Sequence, residues 1–331
     1  MNPVTTDRPN VLITSASRKV LLVRAFRDAL ARTGPGQVLA ADISPLSAAL
    51  HDADGARLIP RSDDDAFIDV LLRVCEQDRI GLLVPTRDEE LPVLARARER
   101  FLAAGTLVLV SSAEGVDICL DKARFLTAVQ DAGLHTPMVY PEPGATRFPA
   151  FVKPRRGWGG QGATKVSTPA ELAAVLDSLG DDALIQEFVD APEFTVDVFL
   201  DLDGRPISCV PRQRIAILAG ESIVSRTVRD PDLTDATLRL CAAIGLVGHV
   251  TAQAFRTPER VEFIEINPRY GGAANLGFEA GARTPDFALR LARGERPEPQ
   301  LDAYEVGLTM LRYPVDMFLR DPDLAALEPS R

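Results

Sequence analysis

The sequence predicts a mixed α/β protein in which a parallel-sheet domain precedes an α+β region, and three observations support this. Apolar strands alternate with amphipathic helices from residue 10 to about residue 112. From Ser111 onward the strands show alternating polar and apolar residues instead. The length of 331 residues exceeds one ordinary domain and suffices for two or three. We therefore expect three units, at residues 1–112, 113–190 and 191–331.

The first region contains apolar strand segments separated by helical ones. Strands are predicted at NVLITSA, QVLAADI and IGLLVPT, and helices over residues 19–32 and 67–77. This alternation is typical of a Rossmann-like parallel sheet covered on both faces, with ligands at the carboxyl ends of the strands. The loop after the first strand, TSASRKV, contains no glycine, so the dinucleotide-binding fingerprint is missing. A hydride-transferring dehydrogenase is therefore disfavoured.

The charge balance excludes some classes of partner. Lysine and arginine total 37 against 47 aspartate and glutamate residues, which gives a net charge of −10. A chain this acidic has no general attraction for nucleic acid or an anionic membrane. No apolar run approaches the ~20 residues of a membrane-spanning helix, and MNPVTTDRPN lacks the features of a secretory signal. We expect a cytoplasmic protein without nucleic-acid or membrane partners.

The cysteines and histidines do not indicate a zinc or haem site. The four cysteines are scattered without a C-x-x-C pair, and the chain has three histidines. We expect all four thiols to be small buried hydrophobic groups. They are Cys75, Cys119, Cys209 and Cys241.

A glycine cluster, GWGGQG at residues 157–162, formally matches G-x-G-x-x-G. The β-rich segment ATKVS follows it where a Rossmann loop would lead into a helix, and Ala163 and Thr164 stand where a Walker A loop needs Lys-Ser/Thr. A strand, a glycine loop and a second strand remain, and such a loop can place backbone N–H groups over phosphates. A flexible turn is the alternative. For Trp158, stacking on substrate and simple loop packing are equally open.

A second group of residues lies in the segment EFIEINPR, residues 262–269. Glu265 and Asn267 are two apart on a predicted strand and share a face, which suits a Mg²⁺ site of hard oxygen ligands. Arg269 can reach an anion held by that metal. Gln253 lies on the preceding strand of a hairpin, and an odd-length loop would face it toward Glu265 whereas an even one would turn it away. A solvated strand end with a surface salt bridge is the alternative.

These residues, taken in order, resemble the ATP-grasp ligases, in the branch of carbamoyl phosphate synthetase and biotin carboxylase. The resemblance covers residues 121–281 and rests on an ordered set of short motifs, none of them specific alone. The motifs are DK at 121–122, FVKP with Lys153, GWGGQG, QEFV at 186–189, EFTVDV and EINPR. The implied fold is a two-lobed ATP-grasp unit after the Rossmann-like domain.

The resemblance implies ATP and Mg²⁺ as cofactors, with two metal ions and with Mn²⁺ able to substitute. Lys122 and Lys153 would contact phosphates, with Lys153 also near the adenine, and Arg269 would steady the transferred phosphoryl group. Lys153 and Arg269 are therefore the catalytic candidates. The other implied roles are phosphate cover by Gly157, Gly159, Gly160 and Gly162, an adenine hinge at Gln186, Glu187, Phe188 and Val189, ribose binding by Glu193, and metal binding by Gln253, Glu265 and Asn267.

The substrate site is expected beside the γ-phosphate. Arg212 and Arg214 share one face of a predicted strand and, with Glu221 and Gly272, are candidate substrate ligands. A solvated sheet edge is the alternative. Polar residues of the first domain are expected to close the pocket from the other side. They are Ser17, Arg18, Asp88 and Glu89.

The leading hypothesis is an ATP-dependent ligase that joins a small-molecule carboxylate to an amine through an acyl phosphate. Lysine, arginine and Mg²⁺ would neutralise the charge that accumulates when a phosphoryl group moves to a carboxylate. Two alternatives are a carboxylase that forms carboxyphosphate from bicarbonate and a non-catalytic ATP-binding regulator. The resemblance permits a homodimer without requiring one.

Overall fold

Three β-sheets organise the chain in a computed structural model, which describes residues 8–157, 162–325 and 327. The first sheet has five parallel strands, the second has three antiparallel strands and the third has six antiparallel strands. The predicted parallel-sheet domain and the antiparallel region after it are confirmed. Among the described residues, no helix is both long enough and apolar enough to cross a membrane.

The first sheet has the strand order β3-β2-β1-β4-β5, with helices in the connections. Its elements are β1 Asn10–Thr14, α1 Val20–Thr33, β2 Val38–Asp42, α2 Ala48–Asp52, β3 Gly55–Leu58, α3 Phe67–Gln77, β4 Ile80–Val84, α4 Leu91–Ala103 and β5 Leu107–Val108. Strands β2 and β4 are buried along their whole length, as their continuous apolar runs require. Because the strand order reverses between β1 and β4, the carboxyl ends of these two strands border the crevice where open α/β sheets bind ligands.

Two helices, α5 at Ala113–Leu120 and α6 at Lys122–Asp131, lead to the small lobe. The lobe consists of β6 Ala150–Pro154, β7 Thr164–Val166, α7 Pro169–Leu179 and β8 Ala183–Glu187. Thr168 caps α7 by accepting from the Glu171 N–H at 3.2 Å, while the Glu171 carboxylate accepts from the Ser167 N–H at 2.8 Å. This is the reciprocal cap that the STPAEL sequence predicts.

The third sheet has the order β13-β12-β9-β10-β11-β14. Its elements are β9 Glu193–Leu200, β10 Pro206–Leu218, β11 Glu221–Thr227, α8 Pro231–Ile244, β12 Gly248–Arg256, β13 Val261–Asn267, α9 Asn275–Glu279, α10 Thr284–Ala292, β14 Thr309–Leu311 and α11 Asp321–Ala325. Cys119, Phe125 and Val129 of α5 and α6 belong to the core of this sheet. The predicted range 113–190 had grouped these helices with the small lobe. All four cysteines are buried, as expected.

The first domain and the third sheet share one hydrophobic core. Helix α10 packs against α1, and the Phe199 and Phe287 rings lie 5.9 Å apart within a cluster that also contains strands β1 and β2. Arg32 of α1 donates two hydrogen bonds to Asp286 of α10, at 3.0 and 2.7 Å. One hydrophobic cluster therefore joins these two units, whereas the small lobe has a separate core.

The shared core predicts that removing the Phe287 ring destabilises both units together. Phe287→Ala, at a side chain that is 5% exposed, is expected to lower the free energy of unfolding by about 3–5 kcal/mol. Urea unfolding measures this change, and Leu311→Ala, at a position that is 69% exposed, is the control and should change stability by less than about 0.5 kcal/mol. Equal losses in the two variants would contradict the shared core.

Candidate active site

Two lysines reach the end of β13 from the small-lobe side. Lys153 on β6 is buried, and its Nζ donates to the Ile264 carbonyl at 3.4 Å. Lys122 begins α6, and its Nζ donates to the Gly157 carbonyl at 3.0 Å. Burial lowers the pKa of Lys153 to about 8, and the carboxylate of Glu265 opposes this shift. Burial also lowers the pKa of Lys122, again against the charge of Glu265. Both ammonium groups therefore interact electrostatically with the same carboxylate, that of Glu265.

A one-residue shift in register decides where Gln253 faces. The loop between β12 and β13 covers residues 257–260, which is an even length, and alone would turn Gln253 away from Glu265. The pairing shifts between Gln253 and Ala254, so that Gln253 lies opposite Glu265 and Ile264 is skipped. The skipped residue is also the one whose carbonyl accepts from Lys153. The shift in register thus brings Gln253 opposite Glu265 and leaves the Ile264 carbonyl to accept from Lys153.

Glu265 accepts hydrogen bonds from two amides on the same oxygen. The Gln253 Nε2 lies 2.9 Å and the Asn267 Nδ2 lies 3.1 Å from the Glu265 Oε1. The oxygen of each amide accepts from an arginine, Gln253 from Arg214 at 2.7 Å and Asn267 from Arg269 at 3.4 Å. The three metal candidates therefore lie together on one face, as the spacing of Glu265 and Asn267 predicts.

The two arginines at the ends of this row are themselves held by carboxylates. Arg214 also donates to Glu193, to the Ser222 hydroxyl at 3.0 Å and to the Gly220 carbonyl at 2.6 Å. Burial raises the pKa of Glu193, and the charge of Arg214 opposes that shift. A continuous row of seven hydrogen-bonded side chains results. In order, they are Glu193, Arg214, Gln253, Glu265, Asn267, Arg269 and Asp88.

The far end of the row lies in the first domain. Asp88, in the 3₁₀ turn after β4, accepts from both the Nε and the Nη2 of Arg269, at 2.7 and 2.6 Å. The main-chain carbonyl of Arg269 accepts from the Thr251 hydroxyl and from His249 Nδ1, both at 3.3 Å. Burial lowers the pKa of His249 to about 4, so this imidazole is neutral near pH 7. Arg269 is thus fixed at both its backbone and its guanidinium group.

Asp121 holds the segment that follows Lys153. Its carboxylate caps α6 through the Ala123 N–H at 3.0 Å and accepts from Arg155 twice at 2.7 Å and from Arg156 at 3.1 Å. The hydrogen bonds from Arg155 are the main cause that lowers the pKa of Asp121 to about 2. One carboxylate therefore connects the helix that bears Lys122 to the start of the glycine loop.

The predicted adenine hinge lies between the small sheet and the third sheet. Gln186 is buried in β8, and Glu187 accepts from the Met138 N–H at 2.8 Å, so these two side chains hold the hinge in place. Within the part of the chain that the structure describes, the backbone groups of Phe188 and Val189 pair with no other main-chain group. These are the groups that remain for a base edge.

The glycine loop is described at its two ends. Gly157 and Gly162 have φ values of +126° and +71°, which side chains with a Cβ rarely adopt. Gly159 and Gly160, which are also predicted to cover phosphates, and Trp158 lie outside the described residues.

The two arginines predicted as substrate ligands are engaged by protein groups. Arg212 is 3% exposed and donates to Asp197 at 2.7 Å and to Ser225 at 3.4 Å, so its guanidinium faces no open crevice. Arg214 donates through all three of its guanidinium nitrogens to protein groups. Alternation along β10 places both on one face, as expected, but the neighbouring strands supply partners for both. The structure points to positioning roles.

The two other substrate candidates lie at the rim of the crevice. Glu221 accepts from Arg18 of the first domain at 3.3 Å and from Arg312 at 2.8 Å. The carbonyl of Gly272 accepts from the same Arg312. The expected closure by polar residues of the first domain is seen for Arg18 and Asp88, which both contact the third-sheet lobe.

The donor set is compatible with a magnesium ion that is shared with phosphates. Within residues 8–157 and 162–325, no group of three or more His, Cys, Asp or Glu side chains is placed to hold a metal. The predicted site therefore offers one carboxylate, Glu265, with amide oxygens beside it. Mg²⁺ in proteins is often held by one or two carboxylates together with substrate phosphates and water, and this set fits that pattern.

Sequence reasoning missed several positioning residues. A local signal exists for Asp121, since an aspartate immediately before a helical stretch is a typical N-cap. No local pattern marks Thr251, His249 or Asp197, because their roles depend on partners far along the chain.

Two family models match the two regions of the chain described above. Residues 119–273 match the model described as ATP-grasp domain, and residues 11–109 match the model described as PylC-like, N-terminal domain. The chain therefore contains an ATP-grasp domain that follows a PylC-like N-terminal domain, and the predicted resemblance is confirmed.

The chain is also similar to curated relatives and to solved structures. The carbamoyl phosphate synthase large chain of Xylella fastidiosa is 27% identical over 235 residues, which cover 61% of this chain and 21% of that protein. This chain spans about a fifth of the length of the curated relatives it matches. Two solved structures share the fold. Biotin carboxylase from Campylobacter jejuni, as a β,γ-ATP complex, has a TM-score of 0.74 with 17% identity, covering 93% of this chain and 75% of that one. L-amino acid ligase from Bacillus licheniformis has a TM-score of 0.68 with 17% identity, covering 88% and 76%.

The pairing of Asp121 predicts an acid-dependent loss of stability. A carboxyl whose pKa falls from 3.8 to about 2 on folding stabilises the fold fully above about pH 4, and this contribution is lost as the pH falls toward 2. Asp121→Asn keeps a good helix cap but removes the charge. The variant should melt below wild type at pH 7, with a difference that shrinks between pH 4 and pH 2.5. A constant difference, or the same pattern in the control Asp117→Asn, would contradict this role.

The close approach of Gly271 to Thr251 predicts a stability difference between neighbouring glycines. A Cβ at Gly271 would lie 2.8 Å from the Thr251 hydroxyl, whereas a Cβ at Gly272 would meet nothing nearer than Arg312 at 3.9 Å. Gly271→Ala is expected to cost about 1–3 kcal/mol of unfolding free energy, and Gly272→Ala less than about 0.5 kcal/mol. Urea unfolding compares them, and equal stabilities would contradict the packing described.

Proposed function

We propose that this protein is an ATP-dependent ligase that joins a carboxylate to an amine through an acyl phosphate. The observation that carries the proposal is the convergence of three cations, Lys122, Lys153 and Arg269, on the end of β13 that bears Glu265. Transfer of a phosphoryl group to a carboxylate brings anions together, and positioned cations lower that barrier.

The nucleotide lies between the small lobe and the third sheet in this proposal. Lys122 and Lys153 bind its phosphates, and the glycine loop between β6 and β7 covers them. The backbone groups of Phe188 and Val189, which pair with no described main-chain group, bind the adenine edge. Glu193 accepts from the ribose hydroxyls. Burial of Lys153 supports this placement, since a buried ammonium with a pKa of about 8 gains strongly from an anion.

Glu265 holds Mg²⁺ in the proposal, with the amide oxygens of Gln253 and Asn267 as further ligands. A bound Mg²⁺ neutralises phosphate charge and orients the γ-phosphoryl group. Both amides present nitrogen to Glu265 in the structure, so they must rotate to offer oxygen to a metal. Arg214 and Arg269, which hold the opposite ends of these amides, control that rotation.

The reaction proceeds in two balanced steps. A carboxylate oxygen attacks the γ-phosphorus, the bond to the β-phosphate oxygen breaks, and ADP leaves. The nitrogen of a neutral amine then attacks the acyl carbon, the carbon–oxygen bond to phosphate breaks, and the amine proton passes to solvent. Lys153 and Arg269 stabilise the negative charge of the transferred phosphoryl group throughout.

The names of the compared proteins support a ligase or a carboxylase and leave the substrate open. L-amino acid ligase favours a carboxylate and an amine, whereas biotin carboxylase favours bicarbonate. Because residues of the first domain contact the site opposite the nucleotide lobe, we favour an organic carboxylate with room for a side chain. An ATP-binding regulator is the outcome if no compound stimulates turnover.

The proposal predicts ADP release that depends on paired substrates and on Glu265. A panel of amino acids and small carboxylates in pairs, with bicarbonate alone as a separate arm, is screened with MgATP. At least one carboxylate–amine pair should raise ADP and phosphate release. Glu265→Gln should reduce kcat about 100-fold or more, and Glu259→Gln, on the same hairpin but exposed, should match wild type.

Three outcomes would count against parts of this proposal. Stimulation by bicarbonate alone would favour the carboxylase. A silent enzyme that still binds ATP by calorimetry would favour the regulator. A Glu265→Gln variant with wild-type kcat would remove the metal assignment.

A further inference from the structure

Lysine is rare in this chain, and its positions are not scattered. Of the 37 lysine and arginine residues, four are lysines: Lys19, Lys122, Lys153 and Lys165. Lys122 and Lys153 lie at the site described above, and the Lys165 ammonium, on the strand after the glycine loop, lies 3.9 Å from the ring centroid of Phe188 in the hinge. A lysine differs from an arginine in carrying a compact charge that shifts its pKa readily when buried. Lys19 is the one lysine in the first domain.

Lys19 occupies the carboxyl end of the central strand of the first sheet. It lies between β1 and α1, next to the place where the strand order reverses between β1 and β4. This is the position at which open α/β sheets bind ligands. The turn after β4 carries Asp88 and Glu90, so Lys19 and the partner of Arg269 lie at the same crevice.

The loop that leads to Lys19 has an unusual, firmly held backbone. Ser15 and Ser17 have φ values of +48° and +46°, in the left-handed region that non-glycine residues seldom adopt. The Ser15 hydroxyl donates to Glu90 at 2.9 Å, and the Ser17 N–H donates to Asp42 at 2.8 Å. Strain of this kind persists where the surroundings enforce it, and it is concentrated at functional sites.

The Lys19 ammonium has no hydrogen-bond or ion-pair partner within residues 8–157 and 162–325. Among the residues that the structure describes, none accepts a hydrogen bond from its Nζ or pairs with it at ion-pair distance, although the side chain is half-buried. The two carboxylates whose charges act on Lys19 already have other partners. Asp88 accepts from Arg269, and Glu90 accepts from the Thr86 N–H, the Arg87 N–H and the Ser15 hydroxyl. Burial lowers the pKa of Lys19 to about 8, and the charge of Arg269 lowers it further. The Lys19 and Arg269 charges therefore lie close enough to repel each other, and Lys19 pairs with none of the described residues.

We propose that Lys19 is a substrate-binding residue that, together with Arg269, binds the anionic group of the carboxylate substrate. The first domain thus supplies a direct ligand to the substrate. The inference rests on the proposed function, because that reaction requires an anionic carboxylate to be held beside the phosphates, and charge-assisted hydrogen bonds from cations bind such a group.

Lysine labelling tests this placement without turnover. The four lysines of the wild-type chain are trace-acetylated with acetic anhydride near pH 8, and each is quantified by peptide mass spectrometry. MgADP should protect Lys122 and Lys153. Sodium formate, added on top of MgADP as the simplest carboxylate probe, should slow acetylation of Lys19 several-fold and leave Lys165 unchanged. An unchanged Lys19 rate would overturn the proposal.

Kinetics provide a second measurement on the same chain. For the compound that releases most ADP in the screen, Lys19→Met should raise its KM about ten-fold, the loss expected for one charge-assisted hydrogen bond. The KM for ATP should stay within about two-fold of wild type. Lys19→Arg should recover most of the loss, and Arg100→Met, an exposed cation on α4 paired with Asp69, should behave as wild type.

The two failures are distinguishable. If no compound stimulates ADP release, the proposed function fails, and the labelling result alone decides whether Lys19 binds an anion. If a compound stimulates release and Lys19→Met leaves its KM unchanged, the ligase proposal stands and the role of Lys19 is wrong.

Discussion

The hydrogen-bonded row centred on Glu265 is the constraint on which the site depends. Two amides donate to one oxygen of Glu265, and each amide is gripped at its other end by an arginine. An isolated side-chain amide can exchange the positions of its oxygen and nitrogen at little cost. Its orientation is therefore fixed only when the oxygen and the nitrogen each have a defined partner. Glu193 and Asp88 complete that specification by holding Arg214 and Arg269. Four strands and one loop of the first domain have to meet correctly for this row to exist.

Local pattern was sufficient for much of the fold. Continuous apolar runs predicted buried parallel strands, and helix α3 begins and ends at the residues predicted for it. Period-two alternation placed Glu265 and Asn267 on one face, and the order of short motifs was enough to name the family. Each of these features depends on a few consecutive residues, or on their order along the chain, and a single sequence contains that information.

The sequence does not predict which side chains pair across neighbouring strands. Whether Gln253 faces Glu265 depends on one skipped residue in a hairpin of even loop length, and no propensity distinguishes that register from a regular one. Arg212 and Arg214 were correctly placed on one face, but their ion pairs were not foreseen. Their ion-pair partners, Asp197 and Glu193, lie on the neighbouring strand β9, whose pairing is known only from the folded sheet.

The common core of the first domain and the third sheet has a consequence for protein engineering. In a chimera joined at the end of the parallel sheet, strands β1 and β2 would come from one protein and α10 from another. The apolar side chains of the first sheet would then no longer pack against the helix that covers them here. A recombination that conserves this contact must transplant the sheet and the distant helix as a pair. The small lobe has its own hydrophobic core, so it is the part of the chain that can be exchanged alone.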